Sequence, residues 1–196
     1  MVNLELKLRI TKVNLDIIDI NGFKYNLHTM EVGTLKDFKV LIPIFDSIQV
    51  GDCIYTDNWI VTRIGQETQP VDLCIRLDKY TLMPSEGFEV SKYLNSKVTG
   101  LFFNSEKCFL RTVGPDRKPF YMATLKLKDS YDINYEMLIV AFGDKAKRLS
   151  TVKKLSILDC EVTVKKKKEV DGYELAVTNF DVVNTKNKNK NKNKEN

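Results

Sequence analysis

Hydrophobic and polar positions alternate along most of this chain, and the alternation stops at regular turn signals. Leu4, Leu6, Leu8 and Ile10 alternate with Glu5, Lys7 and Arg9, the period-two pattern of a half-buried strand. Residues 15–20 run into Asn21-Gly22, a hairpin pair, and residues 23–30 return. Residues 38–45 predict a third strand. Pro43 within it cannot donate to a ladder, which predicts an edge position or a bulge. After Val50-Gly51-Asp52, residues 53–64 and 73–83 complete the set. Residues 84–96 open with turn formers and lose the alternation, so they read as a linker. Phe88, Val90, Tyr93 and Leu94 predict that this linker packs onto a domain.

The second half repeats the rhythm. Residues 98–103 and 108–113 predict one first strand, bent at Asn104-Ser105, and a loop with two prolines follows at 114–119. Residues 120–128 and 135–142 are strong strands. Asp144 is placed to cap a helix through about Lys154, and residues 157–167 and 173–183 form a last pair around Asp171-Gly172. Strand, strand, long strand, helix, strand and strand is the element order of a five-stranded OB barrel. The first half matches it in short segments. Residues 41–46 align with 138–144 at an offset of 97, and Asp52-Cys53 with Asp159-Cys160 at 107. The difference of ten is about the length of a helix that the first half lacks. The predicted fold is therefore all-β with one short helix, as two tandem five-stranded OB-fold barrels. Residues 1–83 form the N-terminal OB-like domain, 84–96 the linker and 97–183 the C-terminal OB-fold domain. Residues 184–196 are read as a disordered Lys/Asn tail, because they offer no surface to bury.

Charge separates the two halves. Residues 1–96 carry 10 Lys and Arg against 13 Asp and Glu, whereas residues 97–185 carry 16 against 12. The tail 186–196 adds five lysines against Glu195. A polyanion is thus drawn to the second half and the tail. No apolar run reaches membrane-spanning length, and residues 1–9 lack the apolar core of a signal peptide, so a cytoplasmic protein without a membrane partner is expected. Cys53, Cys74, Cys108 and Cys160 are scattered singly and there is one histidine, His28, which argues for buried thiols over disulfides or a metal site. No Walker glycine loop or Gly-x-Ser-x-Gly is present, so neither an enzyme nor a cofactor is expected.

Binding of a single strand calls for flat aromatics to stack on bases and cations to follow phosphates. In residues 120–128, Tyr121, Ala123, Leu125 and Leu127 share one face and are expected in the core. Phe120, Met122, Thr124, Lys126 and Lys128 share the other, which reads as a nucleic-acid surface or as an ordinary solvated face. Residues 135–142 have two apolar faces, and the pattern does not choose between them. Arg117 and Lys118 lie in the loop before the second strand. Lys165, Lys166, Lys167 and Lys168 sit at the tip of the last hairpin, where lysines also serve to block edge pairing. Lys145, Lys147, Arg148 and Lys153 read as a solvated helix face. In the first half Phe23, Tyr25 and Trp59 are candidates for a second platform, against which the negative balance argues.

The run Leu138-Ile-Val-Ala-Phe-Gly-Asp-Lys-Ala, followed by a short helix, resembles the strand-to-helix segment of bacterial and phage single-stranded-DNA-binding proteins. In that family a hydrophobic strand ends in an aromatic that stacks on DNA, which the resemblance places at Phe142. A second aromatic at the strand's start has Tyr135 as its nearest match, and a bulge is required for both to face outward. The family's bacterial members end in an acidic tail with Pro-Phe, whereas this chain ends in Lys-Asn repeats. The resemblance covers residues 97–183 and implies a non-enzymatic protein that binds single-stranded DNA in replication, recombination or repair. The lysine- and asparagine-rich composition points to AT-rich coding of the phage or mobile-element kind. Single-stranded DNA is the expected partner, with replication proteins or further copies of the chain as secondary ones. Two rival readings stand beside it: an OB-fold interaction module without a nucleic-acid ligand, and a single-stranded RNA binder.

Overall fold

The computed structural model describes residues 4–64, 72–103, 110–128, 134–167 and 172–183. In the first half, β1 (Leu6–Lys12), β2 (Ile17–Ile20), β3 (Phe23–Val32), β4 (Leu35–Pro43), β5 (Cys53–Ile64) and β6 (Asp72–Met83) form one sheet. β1 pairs with both β3 and β5, β5 with β6, and β4 with β3 and, in parallel, with β6. The ring β1-β3-β4-β6-β5 is therefore closed, and β2 is added outside β3. The second half has β7 (Asn95–Phe103), β8 (Arg111–Val113), β9 (Lys118–Lys128), β10 (Asn134–Phe142), α1 (Asp144–Ser150), β11 (Ile157–Lys166) and β12 (Tyr173–Val183). Its ring β7-β9-β10-β12-β11 closes through the same pairings, including a parallel β10–β12 contact, with β8 outside β9. Both halves are OB barrels, and closure leaves their ring strands without free edges.

Alternation becomes core because successive side chains of a strand point to opposite faces. Leu6, Leu8 and Ile10 of β1, and Tyr121, Ala123, Leu125 and Leu127 of β9, are buried as the pattern predicts. Each large apolar side chain so buried contributes about 1.5–3 kcal/mol. Helix α1 lies between β10 and β11 and buries Ala146 and Leu149. It differs at both ends from expectation. Gly143, at φ 64, is the N-cap, Asp144 is already helical, and Thr151 caps the helix short of Lys154. No helix among the described residues is long and apolar enough to cross a membrane.

Three other expectations are corrected. Residues 111–113 do not extend the first strand; they form β8, which pairs with the start of β9. Gly114 and Arg117, both at positive φ, turn the chain back at once, and so short a loop closes at little entropic cost. Pro43 is on no edge strand and at no bulge. It ends β4 beyond Leu41, the last residue in the β4–β6 ladder, so no bond is lost there. The repeat also has a different register. Val40 lies between His28 and Ile75, as Ile139 lies between Ala123 and Leu175, an offset of 99. That is two residues from the expected offset, so inward positions stay inward. The Cys53–Cys160 match does not survive. Ile54 faces Leu8 as Leu158 faces Gly100, which makes those two the equivalent positions.

The segment between β6 and β7 lies along β1. Lys7 N–H donates to Ser91 Oγ and Ser91 N–H to the Lys7 carbonyl, both at 2.8 Å, and Leu94 is buried. The barrels touch each other as well. Phe38 meets the edge of Tyr173 with ring centroids 4.7 Å apart, and Arg63 donates to the Glu136 carbonyl.

Cys53, Cys74 and Cys160 are buried, and burial, aided by Asp159, pushes the Cys160 thiol up to about 12. Cys108 lies outside the described residues. His28 is buried, with Nδ1 accepting from Asn14 N–H at 3.3 Å, and burial lowers its pKa below the ordinary 6.5. The unfolded chain therefore takes up a proton before the folded one as pH falls. Stability from this site is complete above 6.5 and declines below it. A proton-NMR titration of this single imidazole should give a midpoint below 6.5; one at or above that value would refute the assignment.

Candidate nucleic-acid interface

The outer face of β9, β10 and β12 is a short grid set by ladder register. Phe120 pairs with Phe142 at one end. Met122, Val140 and Ala176 form the next row, then Thr124 and Leu138, then Lys126 and Glu136. At about 3.3 Å per residue the face runs roughly 20 Å from the aromatic pair to the charged pair. The Phe120 and Phe142 rings are 5.3 Å apart, tilted by 51°, and Phe142 is 37% exposed. Leu138 is 45% exposed.

This settles the phase of the third strand. Met137, Ile139 and Ala141 face the core, and Leu138 and Phe142 face out. Val140 has outward parity yet is 3% exposed, since it lies in a groove partly walled by the first barrel. That groove encloses ≈ 320 Å³. Phe120, Met122, Leu138 and Val140 supply its apolar floor, Arg63 and Leu73 come from the β5–β6 hairpin, and Lys167, Tyr173 and Glu174 come from the last hairpin. Sequence reasoning missed Arg63, Leu73, Tyr173 and Glu174. Arg63 and Leu73 reach the site only because the barrels dock, and no local pattern reports that.

The other expected residues divide. Lys126 belongs to the grid, paired with Glu136 at 3.2 Å and lying 4.3 Å over the Phe103 ring. Lys167 lines the groove, while Lys165 and Lys166 are exposed at the end of β11. Arg117 is exposed in the β8–β9 turn and Lys118 at the start of β9, two residues before Phe120, with Lys118 3.6 Å from Asp116. Tyr135 stands opposite Leu127 in a β9–β10 ladder without a register shift, so no bulge gives it the strand parity of Phe142. Lys128 pairs with Asn134 at the other end of that ladder. The side chains of Lys128 and Tyr135, and all of Lys168, lie outside the described residues.

The corresponding face of the first barrel is built differently. Its rows are Tyr25 with Pro43, then Leu27, Leu41 and Arg76, then Thr29, Lys39 and Cys74. Tyr25, Leu41 and Cys74 form a small apolar cluster under Ile18 and Ile20 of β2 and Ile64. Arg76 is fully buried, 2.9 Å from Asp78 and under the Tyr25 ring. Trp59 is core and donates to the Leu4 carbonyl at 2.7 Å. Of the three aromatics considered for a second platform only Phe23 is exposed. The helix cations are surface groups: Lys147 pairs with Asp144 at 3.3 Å, and Arg148 lies 5.0 Å from the Phe180 ring.

No family model matches this chain, and no curated protein matches its sequence. Solved structures do. The wild-type single-stranded DNA binding protein from Thermus aquaticus superposes with a TM-score of 0.63 at 12% identity, over 94% of this chain and 95% of that one. A deletion mutant of the same protein gives 0.60 at 9% identity, over 93% and 96%. At such identities the likeness is one of fold. It runs the length of both chains, so the tandem OB architecture derived above is one that this chain shares with a single-stranded DNA binding protein.

Proposed function

We propose that this protein is a non-enzymatic single-stranded-DNA-binding protein, and that the outer face of β9 and β10 receives the strand. One observation carries the reading: the two barrels of one chain treat the same face in opposite ways. In the first barrel β2 seals it over an apolar cluster. In the second it stays open, with a pair of phenylalanines at one end and Lys126, Arg63 and Lys167 around it. Stacking on an aromatic is worth about 1–3 kcal/mol per base and tolerates any sequence, while the cations follow the backbone. The Thermus aquaticus protein of the same fold is named for this ligand. We place the protein in cytoplasmic replication, recombination or repair of a phage or mobile element, acting with replication proteins or with further copies of itself. The lysine- and asparagine-rich composition supports that origin. The rival interaction module would bury its outward rings, and Phe142 argues against it.

Titration with oligo-dT, the matching duplex and the matching RNA tests the reading. Oligo-dT should bind more tightly than duplex, and each neutralised phosphate should add about 0.7 to the slope of log affinity against log salt. Equal affinity for duplex and single strand at physiological salt would leave only generic basicity, and tighter RNA binding would favour the RNA reading. The tail should act by charge alone, since its five lysines carry no platform for a base. Removing residues 186–196 should make the salt slope shallower without altering the single-strand preference. Neutralising Lys165 to Lys168 should weaken binding more, because Lys167 lines the groove and Lys165 and Lys166 end the strand beside it. Loss of all binding on tail removal alone, with the barrels still folded, would make the tail the main site.

A further inference from the structure

Glu174 is an unexpected residue on a surface that receives a polyanion. The β10–β12 ladder pairs Ile139 with Leu175 and Val140 with Ala176, so one step back Glu174 stands beside Leu138 on the outer face. It lines the groove together with Phe120, Met122, Leu138 and Arg63. Among the described residues its carboxylate has no hydrogen-bond or ion-pair partner. Lys165, its cross-strand neighbour, and Lys167 act on it through space, and burial raises its pKa against their pull. A partly desolvated carboxylate without a fixed partner calls for donors from a ligand.

We infer that Glu174 reads one base of the bound strand and that the base is guanine; this rests on the single-strand reading above. A carboxylate only accepts, and its two oxygens match two adjacent donors. Guanine presents N1–H and its N2 amino group side by side. Adenine and cytosine offer a single amino group next to a ring nitrogen that repels the carboxylate. Thymine offers one N–H between two carbonyls that do the same. Arg63, anchored by one nitrogen on the Glu136 carbonyl, brings a guanidinium to the same groove. Its fork suits O6 and N7, the acceptor pair on guanine's other edge. The groove is of the size that takes a small ligand. The strand tracks through on stacking and phosphates, and guanine pauses it in one register.

The test compares three ligands on the full chain: an oligo-dT, the same oligomer with one central dG, and the same with deoxyinosine there, which lacks the N2 amino group. Wild-type protein should favour the dG oligomer by about fivefold or more, and inosine should remove most of that gain. Glu174→Gln should bring the dG-to-dT ratio close to one. Wild-type indifference to dG, equal binding of inosine and dG, or a preference that persists in Glu174→Gln would overturn the proposal. The inosine comparison needs no mutant, so misfolding of the variant cannot decide the matter. A wild-type protein that binds dT well without preferring dG overturns this proposal alone. One that binds none of the three removes the reading beneath it.

Discussion

Phe142→Ala is expected to weaken single-strand binding by about 1–3 kcal/mol while leaving the barrel folded. The ring is 37% exposed, opposite Phe120 in the ladder and 5.3 Å from it, so removal opens no cavity in the core. Phe120→Ala should have an effect of the same size. The double variant should lose less than the sum, because the rings touch and each helps to orient the other. Leu125→Ala is the contrasting case. Leu125 is fully buried on the inward face of β9, and its truncation should cost about 2–5 kcal/mol of stability through lost burial and a residual cavity. DNA titration and denaturant unfolding on each variant separate the two kinds of loss. If Phe142→Ala unfolds the protein as readily as Leu125→Ala, the outward assignment of Phe142 is wrong.

Gly33→Ala should loosen the linker from the first barrel. Gly33 has φ +54, and a Cβ there would lie 2.0 Å from the Lys92 carbonyl oxygen and 2.7 Å from its carbon. Both are backbone atoms, so no side-chain rotation relieves the contact. The left-handed conformation alone costs a non-glycine residue about 1–2 kcal/mol, which for a chain of this size lowers Tm by roughly 2–8 °C. Gly22 makes the control: it has φ +82 with nothing within 4 Å, so Gly22→Ala carries the strain without the clash. Gly33→Ala should therefore lower Tm clearly further than Gly22→Ala, and should speed protease cleavage near Lys92. Equal shifts for the two variants would mean that the linker does not dock as described.

Much of this protein is legible in its chain because a barrel strand reports its own phase. Where one face is apolar and the other polar, as in β1 and β9, period-two alternation separates core from surface, and Tyr121, Ala123, Leu125 and Leu127 fall where the pattern puts them. Turn chemistry is equally local: Asn21-Gly22 makes its hairpin, with both residues at positive φ. The repeat was visible too in the residues 41–46 match, two residues out of register, since a shift of two preserves every face; the Cys53–Cys160 match, three residues out, did not hold. What the chain could not show depends on contacts between residues far apart. Both faces of β10 are apolar, and which one is the core was decided by closure of the ring on β12 and by docking of the first barrel. The sealing of Tyr25 and the exposure of Phe142 follow from β2 lying over one face and leaving the other open. Arg63 lies 73 residues from Glu136 in sequence and meets it only because two closed barrels pack together. Local periodicity encodes which way a side chain points; what it points at is set by the packing of elements that carry no record of one another.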